Sequence, residues 1–229
     1  MATTQGYFVT GTDTGVGKTW VTLSLMCALK ARGLTVAGMK PVASGCRTTS
    51  AGLRNPDAEL IGKEASQPAP YDLVNPYAYS PAIAPHIAAG DAGGAIDLAR
   101  IVSAHKELVA GADFVVVEGV GGWRVPLNDH QSIADLARCL AYPVLLVVGL
   151  RLGCISHAVM TAETIAADGV VLAGWIANQL DPAYERSSET VETLRRSLGA
   201  PLLGQLPWIE SLDVPALAVR LRQAAERLC

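Results

Sequence analysis

The sequence predicts an α/β protein, a three-layer α/β/α sandwich around a mostly parallel central sheet. Three observations lead there. Six strand-like apolar runs (Tyr7–Thr10, Thr35–Met39, Phe114–Val117, Val144–Val148, Val171–Ala177 and Leu202–Leu206) are mostly separated by helix-length segments, the alternation that builds parallel sheets. Phe114–Val117, Val144–Val148 and Val171-Leu172 are apolar at every position, so helices must cover both faces of the sheet. The first run breaks directly into a glycine-rich turn followed by a helix-like segment from Trp20.

That first turn reads Gly11-Thr12-Asp13-Thr14-Gly15-Val16-Gly17-Lys18-Thr19. Strand, glycine turn and helix in this order form a phosphate-binding loop, which makes the sandwich P-loop NTPase-like. Gly15, Val16 and Gly17 turn successive amide N–H groups toward phosphate oxygens, Lys18 adds a point charge, and the Thr19 hydroxyl is placed to hold Mg²⁺. Trp20 opens the helix behind them. The common form of this loop has four residues between its two outer glycines, whereas five separate Gly11 from Gly17.

Ligands of such sheets bind beyond the carboxyl ends of the strands, so the residues after each run are the candidates. The second run leads into Lys40-Pro41-Val42-Ala43-Ser44-Gly45. Lys40 reads as a second fixed cation suited to phosphoryl transfer, or as a solvated lysine. Ser44 donates to a substrate oxygen or forms a turn. The segment from Cys46 to Gly94, punctuated by Pro76, Pro81 and Pro85, is expected to fold as short helices and loops over the site. Within it, Asp57 follows Arg54-Asn55-Pro56, a spacing that favours a helix N-cap.

The third run ends in Glu118-Gly119-Val120-Gly121-Gly122, placing a carboxylate before a glycine-rich loop, where it suits Mg²⁺ or caps a neighbouring helix. Asn178-Gln179 follows the fifth run and Pro207-Trp208-Ile209 the sixth. The Asn carboxamide offers donor and acceptor to a purine edge, and Pro and Trp offer flat apolar surface, although Asn at a strand end is usually turn chemistry and Trp is usually core. The chain closes with Val214, Leu217, Leu221, Ala224, Ala225 and Leu228 at helical spacing, the stripe of a docked helix.

Size and composition set the remaining bounds. A chain of 229 residues that is half apolar suits one domain over residues 1–229. A net charge of −3 gives no reason to expect nucleic acid. With no secretory signal and no apolar stretch near the ~20 residues of a membrane span, no membrane association and a cytoplasmic location are expected. Cys27, Cys46, Cys139, Cys154 and Cys229 lie far apart without a CxxC pair, so neither disulfides nor a zinc cage is expected.

These motifs together resemble the dethiobiotin synthetase family over nearly the whole chain. The resemblance rests on Gly11-Thr12-Asp13-Thr14 with Gly17-Lys18-Thr19, Lys40-Pro41-Val42-Ala43-Ser44-Gly45, Gly52-Leu53-Arg54-Asn55 with Asp57, and Val74-Asn75-Pro76-Tyr77 with Pro85-His86. It continues through Val117-Glu118-Gly119 with Gly121-Gly122-Trp123, Leu152-Gly153-Cys154-Ile155 with His157-Ala158, Ala173-Gly174-Trp175 with Ala177-Asn178, and Pro207-Trp208. The five-residue glycine spacing is also the family's.

The resemblance implies conversion of 7,8-diaminononanoate, CO₂ and ATP to dethiobiotin, ADP and phosphate, through a carbamate and a mixed carbamic–phosphoric anhydride. It implies a homodimer with the site near the subunit interface. Thr19, Asp57 and Glu118 would hold Mg²⁺, which moves Asp57 from cap to metal ligand. Lys18 and Lys40 would bind the transferring phosphate and the carbamate, and Thr14 and Ser44 would touch substrate. Two departures stand out: relatives can carry an acidic residue at the position of Gly15, and an Asn at that of Ser156.

Two other classes share the loop. Partitioning-type ATPase switches carry a signature lysine two residues before the position of Gly15, where this chain has Asp13. Cobyrinate diamide synthases append a glutaminase domain, for which the short tail after Trp208 leaves no room.

Overall fold

A computed structural model describes residues 4–227, so Leu228 and Cys229 lie outside the described residues. The expected sheet is present: six strands, β1 (Gln5–Gly11), β2 (Val36–Met39), β7 (Phe114–Gly122), β8 (Val144–Leu150), β9 (Leu172–Gln179) and β10 (Leu202–Leu206), in the order β10-β9-β8-β1-β7-β2. Neighbours pair parallel throughout. Between β2 and β7 lie four short strands, β3 (Val42–Ala43), β4 (Arg47–Thr49), β5 (Gly52–Arg54) and β6 (Tyr77–Ala78), which form two small two-stranded sheets. The region expected to fold as short helices and loops contains short strands as well. Its helices are α2 (Pro56–Glu64), α3 (Tyr71–Val74) and α4 (Pro85–Asp91).

Alternation along each strand assigns it to two layers. Tyr7 and Val9 of β1, with Phe114 and Val116 of β7, pack under α1 (Lys18–Lys30), α9 (Val214–Arg220) and α10 (Arg222–Glu226). Phe8, Val115 and Val117 face the opposite way, toward α5 (Leu98–Leu108) and α6 (Ile133–Leu140). Further along the same face, Leu146, Val148, Trp175 and Ala177 meet α7 (Cys154–Ala167) and α8 (Ser187–Ser197). The terminal stripe forms two short helices, broken at Leu221, rather than one. Both halves still bury their apolar residues, Leu217 and Ala218 before the break and Ala224 and Ala225 after it.

One buried group of α5 makes stability depend on pH. His105 lies against the Tyr142 ring, and its Nε2 has no hydrogen-bond partner. Burial pushes its pKa down from 6.5 to about 4. The folded state therefore keeps His105 neutral while the unfolded chain protonates near the ordinary value. Its contribution is fully present above the unfolded pKa of 6.5 and is lost as pH falls through about 4. Urea unfolding at pH 7 and pH 5 should show a smaller loss of stability on acidification for His105→Gln than for the unaltered protein. An equal loss in both would remove His105 as the cause.

Candidate active site

Sheet register gathers the site. β1 and β7 pair Val9 with Glu118, and β2 and β7 pair Met39 with Val117, so Lys40 leaves its strand beside Glu118 while the glycine loop begins one residue pair away. Helix α1 starts at Lys18 rather than at the expected Trp20, which puts Lys18 and Thr19 in its first turn. Gly15 and Gly17 hold φ of 74° and 87°, left-handed conformations open to glycine at little cost. Gly17 is the residue just before the helix. Lys18 curls back so that its Nζ donates to the Asp13 carbonyl oxygen at 2.8 Å.

The chemistry concentrates at one buried cluster. Lys40 Nζ pairs with Glu118 Oε1 and, at 3.3 Å, with Asp57 Oδ2. The Thr19 hydroxyl donates to the same Glu118 Oε1 at 2.9 Å. Glu118 is 1% exposed, and its second oxygen, Oε2, has no hydrogen-bond partner. Burial pulls the Lys40 ammonium down, but the charges and hydrogen bonds of Glu118 and Asp57 more than reverse this and hold its pKa above the ordinary value. Burial pushes Lys18 down to about 8, with the Glu118 charge opposing it, so Lys18 stays cationic at neutral pH.

Two carboxylates and a hydroxyl around an unpartnered buried oxygen make a hard, all-oxygen donor set, which fits Mg²⁺. Among the described residues no group of three or more His, Cys, Asp and Glu side chains is arranged for a metal, so the set depends on Thr19.

Asp57 is not a helix cap, contrary to its sequence spacing. Asn55 is the N-cap of α2, its side chain accepting from the Ala58 N–H at 3.1 Å, and Asp57 in the first turn is left free to point at Lys40. Asn55 Pro56 together explain this: Pro fits the first helical position and the residue before it takes the extended conformation a cap requires. The cap belongs to a longer chain of bonds that the sequence did not reveal. The Asn55 N–H donates to the Tyr71 hydroxyl, which donates to Asn75 Oδ1, and Asn75 Nδ2 donates to the Lys40 carbonyl oxygen at 2.6 Å. Asn75 is 2% exposed and so fixes the backbone that presents Lys40.

The cluster lies in a cleft of about 870 Å³ at the strand ends. Thr14, Gly15, Gly17, Trp20, Val120 and Gly121 line it, as do Ser44, Gln179, Trp208 and Ile209. The Ser44 hydroxyl is buried without a partner. Ala82, Ile83 and Ala84, overlooked in the sequence, supply an apolar wall. Three predicted contacts do not line the cleft. Val16 is 1% exposed and packs inward, a Cβ on Gly119 would meet the Phe8 ring, and Pro207 lies outside the lining. Glu118 to Gly122 continue strand β7 rather than forming a loop, because Gly122 still pairs with Gly11. Asn178 likewise lies inside β9, 4% exposed, and not after it.

At the rim, Asp13 pairs with Arg151 and accepts from the Thr14 N–H at 2.7 Å. That amide bond, more than the Arg151 contacts, holds the Asp13 carboxyl below its ordinary value. Ser156 and His157 sit on the exposed side of α7 and take no part in the cleft.

Residues 5–216 match a family model described as an AAA domain. The chain is 51% identical over 216 residues to the ATP-dependent dethiobiotin synthetase BioD of Pseudomonas aeruginosa strain PAO1, covering 94% of this chain and 95% of that protein. It is 49% identical to the protein of that name from Aromatoleum aromaticum, covering 97% and 99%. This chain belongs to the ATP-dependent dethiobiotin synthetase family. The synthetase-family motifs quoted from the sequence therefore fall where the cleft is built, at Lys18, Lys40, Asp57 and Glu118.

Solved structures add the fold. A ParA family ATPase from Chlorobium tepidum superposes with a TM-score of 0.60 at 13% identity, covering 97% of this chain and 99% of that one. The MinD cell division protein of Aquifex aeolicus gives 0.58 at 17%, covering 98% and 96%. At these identities the likeness shows the fold alone.

Proposed function

We propose that this protein forms dethiobiotin from 7,8-diaminononanoate, CO₂ and ATP, as a single-domain cytoplasmic homodimer using Mg²⁺. The carrying observation is the convergence of Lys18, Lys40, Asp57, Glu118 and Thr19 at the mouth of the phosphate loop. One amine of the substrate attacks CO₂, loses a proton and becomes a carbamate. A carbamate oxygen attacks the γ-phosphorus and displaces ADP, giving a carbamic–phosphoric anhydride. The second amine attacks the anhydride carbon, gives up its proton and expels phosphate, closing the ureido ring.

Each side chain has a part in this sequence. Amides from Gly15 to Lys18 and the Lys18 ammonium hold the phosphate chain in line with the attacking oxygen. Lys40, released from its carboxylate partners, meets the carbamate and the charge that gathers on the transferring group. Thr19, Asp57 and Glu118 would hold Mg²⁺, which supplies charge neutralisation at the phosphates. Thr14 and the unpaired Ser44 hydroxyl contact substrate oxygens and amines. Asn178, Gln179, Trp208 and Ile209 line the part of the cleft assigned to the adenine base.

The dimer assignment is supported by α7 and the turn before it, where Leu152 is 93% exposed and Ile155 and Met160 are exposed beside it. No helix among the described residues is long and apolar enough to cross a membrane.

The test is direct. Purified protein with ATP, Mg²⁺, bicarbonate and the diamine should yield dethiobiotin and ADP in equal amounts by mass spectrometry. ATP hydrolysis indifferent to the diamine, with no ureido product, would sink the proposal.

A further inference from the structure

We propose that Asn178 is a positioning residue that holds the phosphate loop in its anion-binding shape; this rests on the nucleotide reading of the cleft. A loop that turns its N–H groups into a cleft must turn its carbonyls away from it, and each buried carbonyl then needs a donor. For Val16 that donor is the Asn178 carboxamide, whose Nδ2 lies 3.0 Å from the Val16 carbonyl oxygen. A carbonyl accepts only, so the nitrogen of the carboxamide must face it.

The surroundings leave this contact little freedom. Asn178 is 4% exposed, and β8 and β10 fix its place through Gly149 and Leu206, its register partners. A Cβ on Gly17 would stand 2.1 Å from Asn178 Nδ2, so the glycine makes room for the carboxamide as well as for the turn. A Cβ on Gly149 would lie 3.1 Å from Val16, so the same strand pair also seats the Val16 side chain. Asn178 thus grips the carbonyl of Val16, the one residue between the two left-handed glycines.

Reading a purine edge and holding the loop make different demands, and a ligand without a base separates them. Asn178→Asp keeps an acceptor in place but offers no donor to Val16 and sets a negative charge against its carbonyl. Calorimetric titration with Mg²⁺-tripolyphosphate should show binding weakened about tenfold or more, the loss expected when a buried carbonyl goes without its partner. Asn178→Ala, which removes the donor without adding charge, gives the same result and serves if the aspartate variant does not fold. A circular-dichroism spectrum and a cooperative melt that show each variant folded at the temperature of the titration separate this loss from general unfolding, although the unpaired carbonyl lowers the melting temperature itself.

Tripolyphosphate bound equally by variant and unaltered protein overturns the inference, because a residue that only reads the base leaves this ligand untouched. Absence of tripolyphosphate binding by the unaltered protein overturns both this inference and the nucleotide reading. Failure of the unaltered protein to form dethiobiotin, with tripolyphosphate binding weakened in the variants as described, sinks the proposed reaction alone.

Discussion

Replacing Lys40 by glutamine lowers dethiobiotin formation by roughly 10³-fold or more and leaves ATP–Mg²⁺ binding close to that of the unaltered protein. The magnitude is that of removing a cation dedicated to charge that develops only in the transition state. Binding is spared because the glycine-loop amides and Lys18 grip the phosphates without Lys40. The same substitution has a second signature. The Glu118 side chain is 0% exposed and Lys40 is its cationic partner, so glutamine leaves a buried carboxylate uncompensated. Without metal or nucleotide, the variant should lose about 3–5 kcal/mol of unfolding free energy in urea, and added Mg²⁺ should restore part of it. Near-normal turnover would remove Lys40 from the reaction, and unchanged stability would remove the pair from the fold.

Glu118→Gln should be as damaging for a different reason. It keeps the side-chain shape and the acceptor facing the Thr19 hydroxyl but deletes the charge that would face the metal. Turnover should fall by roughly 10²–10⁴-fold, and calorimetry at stepped Mg²⁺ should show nucleotide binding that no longer strengthens with the ion. The stability arm again involves Lys40, now left with Asp57, whose side chain is 43% exposed and therefore a weaker partner. The double variant Lys40→Gln/Glu118→Gln tests the coupling. Two neutral amides can pair where two charges did, so the double variant should be more stable than either single one yet remain inactive. Additive stability losses would show that the two residues do not depend on each other.

These expectations come from two kinds of information. The strand runs, the helices on both faces and the phosphate loop were legible because each depends on residues close in sequence: period-two alternation, unbroken apolar runs and glycines between a strand and a helix. Of three misreadings at the site, one is local, and two involve partners far along the chain. Asp57 has the spacing of a cap, and only the bond from Asn55 to Ala58 frees it to reach Lys40. Glu118 to Gly122 look like a loop from their glycines, but pairing with β1 keeps them extended. Asn178 resembles turn chemistry after a strand, yet its partner is Val16, 162 residues earlier.

By itself, therefore, the sequence determined the layer architecture and the phosphate loop, since hydrophobic periodicity and glycine freedom are local properties. The tertiary structure decided which site residues meet. Parallel strands placed side by side carry Lys40 and Glu118, 78 residues apart, into one buried pair, and the energies of burial and pairing that govern their behaviour exist only once that register has formed.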